Sequence, residues 1–333
     1  MPIKLPELGL SGCSAKVGSR DLLNLQKLSF PEQVRALATD STCLSIAPSL
    51  YTSIDTILPM TRNADSFGRI AVLHCLGDIL AIGARPTDAC VSYGFDGETI
   101  LNSDGQLIIE GVNECLKEAG VQLCKAHTFR SNANQITLAV TGKIETALRP
   151  MEPDEEYVLI LTKEMGAGIG CHLAWINNSS DLMSACEKTM MQDHRFIAPD
   201  ISDFCHVGTT DISGFGLLGH LAILSHCHEC DIRIKTSSVR FIDGYSLLPA
   251  RFPHNCSAQR NQEDFGDLCS MECHLPEWQI NLLYNAETSG PLACIVETAR
   301  AQGFLKKLHS KGFAHAKQIG TIQRTRKAKV LVA

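Results

Sequence analysis

Residues 67–83, FGRIAVLHCLGDILAIG, constrain this chain more than any other segment. Ile70, Leu73, Leu76 and Leu80 recur at spacings of three to four, the period of a helix. Asp65 or Ser66 can cap its start, and Gly83 followed by Pro86 ends it. Asp78 stands inside this apolar run, with His74 four residues earlier on the same face. An unpaired carboxylate is costly to bury. Two readings stand open on this segment alone: a partly exposed acid beside a histidine, or a metal ligand. The second suits magnesium, which accepts carboxylates, waters and phosphates and little else.

The rest of the chain sets the frame for that helix. Its 333 residues favour two domains. With 44 % hydrophobic and 20 % charged residues, it has the balance of a soluble globular protein. A net charge of −6 leaves no basic footprint for nucleic acid. Any polyphosphate would have to be met by metal ions or backbone amides. No run reaches the length of a membrane span, and the start, MPIKLPELGL, has no sustained apolar stretch or cleavage site of a signal peptide. The 15 cysteines are odd in number and scattered, which points to a reducing cytosol and to thiols used mostly as small buried hydrophobes.

In the first half, residues 43–58 form two strand-like runs broken at Pro48 and Ser49. A strand at 89–93, a helix at 105–119 closing at Gly120 and a strand at 135–141 follow. RPMEPDEE at 149–156, with two prolines and four acids, is the best boundary. Beyond it come strands at 157–162, 231–235 and 292–296, a helix from Phe215, and a long irregular connection over 253–275. Both halves mix strands and helices, which predicts two similar-sized α+β domains, 21–150 and 151–333, after a leader of residues 1–20.

Several motifs carry candidate chemistry. GFGLLG at 214–219 matches G-x-G-x-x-G, but the preceding HVGTTDISG is too polar for a central strand, and Asp231 begins the next strand rather than ending it. A dinucleotide site is therefore disfavoured, and no P-loop pattern occurs. Asp211, just before the glycines, either caps a helix or lies where phosphate or metal can approach. Asp40 and Asp55 flank a strand-like segment and, taken singly, are loop and surface acids. SGCSAK at 11–16 places the Cys13 thiol three residues from the Lys16 amine, and a nearby ammonium favours the reactive thiolate. The runs SHCHECD (225–231) and Cys269, Cys273, His274 lack the spacing of zinc knuckles.

Taken together, these segments resemble selenophosphate synthetase from about Leu10 to the C-terminal segment. FGRIAVLHCLGDILAIGARP is similar to that family's FGRIA…SDI helix, TTDISGFGLLGHL to its TDVTGFGLLGH segment, LAVTGKI to a strand, YVLILTKEMGAGIG to the opening of its second domain, and NAETSGPL to its TSGG turn. Weaker forms occur across the wider superfamily of aminoimidazole ribonucleotide synthetases and hydrogenase-maturation proteins; the Cys-x-x-Lys leader and the full GFGLLGH narrow the choice. The resemblance implies an ATP-using, magnesium-dependent cytoplasmic enzyme that makes selenophosphate from hydrogen selenide and water and releases AMP and phosphate. It implies a flexible catalytic leader and a homodimer whose strands share a barrel. Cys13 and Lys16 take its catalytic positions. Asp40, Asp78 and Asp211 take its magnesium positions, and Lys16, Asp55, Asp78, Ala126, His127 and Thr128 its nucleotide positions. The family's GGH is Lys125-Ala126-His127 here, its TSGG is TSGP, and the residue that is usually Asn is His74. These departures keep two other readings in view: a paralogue that binds nucleotide in a regulatory role, and another ATP-dependent enzyme of the superfamily.

Overall fold

The computed structural model describes residues 42–44, 47–144, 151–152, 154–205, 207–243, 256–325 and 328–333. Strands β1 (Thr42–Leu44) and β2 (Ala47–Ile57) lead into helix α1 (Ala64–Ala81). Next come β3 (Ala84–Phe95), α2 (Gly97–Leu101), α3 (Asp104–Glu118), β4 (Gln122–Arg130) and β5 (Gln135–Ile144). The second half runs β6 (Tyr157–Leu161), α4 (Ala167–Ile176), α5 (Ser180–Met190), α6 (Ala198–Phe204), β7 (Gly208–Asp211) and α7 (Gly216–Cys227). It continues with β8 (Cys230–Ile234), α8 (Cys256–Phe265), β9 (Cys269–Met271) and α9 (Glu277–Tyr284). Last are β10 (Leu292–Glu297), α10 (Thr298–Ser310), β11 (Lys317–Arg324) and β12 (Val330–Val332). No helix among the described residues is long and apolar enough to cross a membrane.

The strands form two sheets, a five-stranded one in the order β1-β2-β5-β3-β4 and a seven-stranded one in the order β7-β10-β6-β11-β8-β12-β9. The α+β expectation therefore holds in both halves. In the five-stranded sheet β5 alternates buried with half-buried residues, the pattern of a sheet covered on one face. Ile54 is 68 % exposed on the uncovered face. In the seven-stranded sheet every residue of β6 is buried. Leu159 and Leu161 enter a core with α7, while Val158 and Ile160 enter another with α10. Covering on both faces explains why YVLIL is continuously apolar.

Helix α1 is buried on nearly all sides. Its core includes α3 and the five-stranded sheet, and also Ile169 and Leu173 of α4 and Cys186 and Met190 of α5. The helix thus lies between the two halves. It meets α3 at glycines: a Cβ on Gly68 would lie 2.4 Å from the Ile108 carbonyl, and one on Gly111 2.5 Å from that of Asp65.

Several local expectations change. The cap of α1 is Asn63, whose side chain accepts from the Ser66 amide at 3.1 Å; Asp65 instead lies in the first turn, 3.3 Å from Arg69. Gly83 does end the helix, at φ 71°. Pro48 and Ser49 do not break the strand. The β1–β2 register shifts there, so Pro48 falls at a bulge where no ladder amide is needed. The polar stretch before the glycine motif is a strand after all, β7, at the edge of its sheet. The region 253–275 is not irregular throughout, since it contains α8 and β9. The buried face of α8 includes Ser257 and Asn261 with Ala258 and Phe265, so polar anchors hide its periodicity. Asn261 donates to the carbonyls of Gly214 (3.0 Å) and Tyr284 (2.8 Å). β4 also escapes pattern reading, because every residue but Leu123 is exposed.

The glycine contact between α1 and α3 predicts that Gly111→Ala lowers the unfolding free energy by about 1–3 kcal/mol in chemical denaturation, through overpacking against backbone. Gly266→Ala, where a Cβ meets nothing within 4 Å, should change it by less than about 0.5 kcal/mol.

Candidate active site

Asp78 sits near the C-terminal end of α1 and is 6 % exposed. The Ser53 hydroxyl, on β2, donates a hydrogen bond to its carboxylate. Asp211 ends β7 and is 3 % exposed. Its carboxylate packs on Gly77, the residue before Asp78, where a Cβ would lie 3.6 Å from Oδ2. Two buried carboxylates from different sheets therefore meet at one turn of α1. Asp55 shares with Ser53 and Ile57 the face of β2 turned to α1, and stays half-buried.

The loop after Asp211 is held from two sides. From α7, His220 Nε2 accepts from the amides of Ser213 (3.2 Å) and Phe215 (3.4 Å). From the turn at residues 287–291, the Pro291 carbonyl accepts from the Ile212 amide at 2.8 Å, and the Glu287 amide donates to the Ser213 carbonyl at 2.9 Å. Gly290 is required there, because a Cβ would lie 2.0 Å from the Ile212 carbonyl. The same turn is tied to α1: the Ser289 amide donates to His74 Nδ1 at 3.1 Å. Ser289 Oγ donates to the Met190 carbonyl at 2.6 Å.

A buried ionisable group lies behind that turn. Glu287 accepts from the amides of Gly166 (2.6 Å) and Gly168 (3.1 Å) at the start of α4. Burial pushes its carboxyl up to about 7, against the lowering effect of those amides and of Lys163. Lys163 donates to the carbonyls of Thr189 (3.1 Å) and Gln192 (3.2 Å), and burial pulls its amine down to about 7.

Of the residues singled out from sequence, Asp55, Asp78 and Asp211 come to the surroundings of α1. Ala126, His127 and Thr128 do not. They lie on β4, with β3 and β5 between it and β2, a separation of roughly 14 Å at about 4.8 Å per strand. There His127 stacks on Phe129 with ring centroids 6.3 Å apart. Cys13, Lys16 and Asp40 lie outside the described residues. Among the described residues no group of three metal-ligating side chains occurs. The donors that do meet are carboxylate and hydroxyl oxygens, which suit a hard divalent cation that takes its remaining ligands from phosphate and water.

The family described as AIR synthase related protein, N-terminal domain, matches residues 38–144, and AIR synthase related protein, C-terminal domain, matches 155–333. A selenide, water dikinase of Pelobacter propionicus is 30 % identical over 94 % of this chain and 93 % of its own length. The chain belongs to the selenide, water dikinase family. A further dikinase, from Aliarcobacter butzleri, is 29 % identical over 96 % of both chains. Among solved structures, thiamine monophosphate kinase from Aquifex aeolicus covers 96 % of this chain and 97 % of its own, with a TM-score of 0.67 at 14 % identity, a likeness of fold. This member of the dikinase family thus consists of two α+β domains of the AIR synthase related type.

Sequence reading passed over Ser53, Lys163, His220 and Glu287. His220 and Glu287 lie within the quoted GFGLLGH and NAETSG segments, but what they hold is backbone remote in sequence. The Glu287 carboxyl favours folding most when protonated. Its folded value lies above the ordinary 4.5, so its contribution is full below 4.5 and is lost as pH rises towards about 7. The unfolding free energy of the wild type relative to Glu287→Gln should therefore fall across pH 4.5–7 in denaturant titrations, by a few kcal/mol at most. A pH-independent difference would show that Glu287 does not titrate in that window.

Proposed function

We propose that this chain is a selenide, water dikinase that converts ATP, hydrogen selenide and water into selenophosphate, AMP and phosphate. The observation that carries the reading is the meeting of the buried Asp78 and Asp211 carboxylates at Gly77. Buried acids cannot receive a polyphosphate directly, and they make sense with cations between them and the phosphates. Asp40, Asp78 and Asp211 would hold magnesium, which supplies charge neutralisation on the phosphates. Ser53 orients Asp78 through its hydroxyl, and His220 with the 287–291 turn holds the segment that follows Asp211. Lys16, Asp55 and Asp78 serve the nucleotide. Cys13 receives selenide, and Lys16 neutralises charge developing on the γ-phosphate. Residues 1–20 form the catalytic leader, 21–150 the ATP- and metal-binding domain and 151–333 the C-terminal domain.

Within one chain the β4 residues stand too far from the acids to share a ligand phosphate with them. Ala126, His127 and Thr128 therefore act on the nucleotide held by a second copy, in a homodimer whose open sheet faces close a barrel. The long exposed edge strand β4 and the exposed Ile54 support this pairing. A cytoplasmic setting accords with the described cysteines, all of which are free thiols.

A regulatory nucleotide-binding paralogue is the second reading, favoured by Lys125 and Ala126 where glycines would let phosphate approach. The Pro291 departure speaks less for it, since the contact with the Asp211 loop is made by the Pro291 carbonyl, which any residue supplies.

Purified protein with ATP, magnesium and selenide should form AMP, and Cys13→Ser should lose AMP formation while still binding ATP. Tight ATP binding without turnover by the wild type would favour the regulatory reading, and turnover of another substrate in a panel would favour a different superfamily enzyme. Asp78→Asn and Asp211→Asn should each weaken magnesium-dependent ATP binding by at least about tenfold, or about 1.4 kcal/mol. Unchanged metal dependence in both would overturn their assignment.

A further inference from the structure

Three pairs of thiols stand close together among the described residues: Cys171 with Cys186, Cys205 with Cys294, and Cys90 with Cys124. The first two pairs are sealed in cores at 2 % exposure or less. Cys90 and Cys124 are both exposed. They lie on the neighbouring strands β3 and β4, whose parallel register shifts between them: Ala89 pairs with Leu123, and Cys90 pairs with Lys125. Cys124 is therefore the extra residue of a β-bulge, so that Cys124 and Lys125 together oppose Cys90. The Cys124 thiol donates to Asp88 Oδ1 at 3.4 Å, and Asp88 is two residues from Cys90 on the same face of β3. Both thiols thus stand on one side of the sheet. Adjacent strands lie about 4.8 Å apart, and a disulfide requires Cα atoms roughly 4.4–6.8 Å apart.

We propose that Cys90 and Cys124 form a reversible dithiol–disulfide site on the open sheet face, oxidised by a hydroperoxide. Cys90 is the attacking thiolate, with the Lys125 ammonium opposite it to favour the charged form. Cys124 is the resolving thiol, and its hydrogen bond to Asp88 pushes its pKa up and keeps it protonated. The Cys90 sulfur takes the terminal oxygen of the peroxide. The O–O bond breaks, hydroxide leaves and collects a proton as water, and Cys90 becomes a sulfenic acid. Cys124 then gives its proton to Asp88 and attacks the Cys90 sulfur. The S–S bond forms, the S–O bond breaks, and a second water departs with the proton relayed from Asp88. Two thiols are oxidised by the loss of two hydrogen atoms, and one hydrogen peroxide is reduced to two waters. A small thiol reverses the step by exchange.

The bond would fasten the bulge two residues before Ala126. On the function proposed above, it would set the shape of the strand that meets the second copy's nucleotide. The thiol chemistry itself does not rest on that function. Full-length protein treated with hydrogen peroxide, alkylated, unfolded and digested should yield one cross-linked peptide pair joining Cys90 and Cys124, lighter by two hydrogen atoms and lost on treatment with dithiothreitol. Cys90→Ser and Cys124→Ser should each abolish the pair, while Cys171, Cys186, Cys205 and Cys294 stay alkylatable after unfolding. Independent overoxidation of Cys90 and Cys124 without a cross-link would overturn the proposal. So would a bond joining two copies, or one formed first at a buried pair. Because the readout is a peptide mass, the result stands apart from whether the protein forms AMP.

Discussion

Everything else in this structure depends on the burial of helix α1. A helix with no solvent face cannot belong to one half of the chain alone. The five-stranded sheet and α3 cover part of it, while α4, α5 and the end of β7 cover the rest. Glycines at 68 and 111 let α3 approach to backbone contact, and Gly77 leaves room for a carboxylate from the other sheet. The two halves share a core because this helix requires both, and the candidate active site forms where they meet.

Polar groups on this helix are handled by neighbours remote in sequence. Asp78 is bonded by Ser53 from β2, and His74 accepts the backbone of the 287–291 turn. That turn fixes the loop after Asp211 and is itself backed by Glu287 on the amides of α4. The chain of contacts runs from α1 through the turn to Asp211 and back to α1. Each link satisfies a buried polar group that would otherwise cost free energy. Closing such a loop with hydrogen bonds to backbone rather than long side chains keeps the two acids in register.

The opposite edge of the molecule is arranged by different constraints. The five-stranded sheet leaves one face and the β4 edge uncovered, and there the sequence shows no buried periodicity. The exposed Cys90 and Cys124, with His127 and Phe129, lie on or beside that surface, whereas the other paired thiols are packed as small hydrophobes.

Much of the fold was legible in local patterns. The period of α1, the stops at Gly83 and Gly120, the alternation in β5 and the continuous apolarity of β6 each record which faces are buried. What escaped were elements whose buried face is polar, as in α8 with Ser257 and Asn261, or whose faces are exposed, as in β4. By itself the sequence determined the α+β class, the family and the candidate acids Asp78 and Asp211. Only the tertiary structure decided that those acids meet at Gly77, that Glu287 and His220 hold the backbone around them, and that Ala126, His127 and Thr128 stand apart. Side-chain periodicity encodes that a face is covered, but which distant residues cover it is settled by how the two sheets close on one helix.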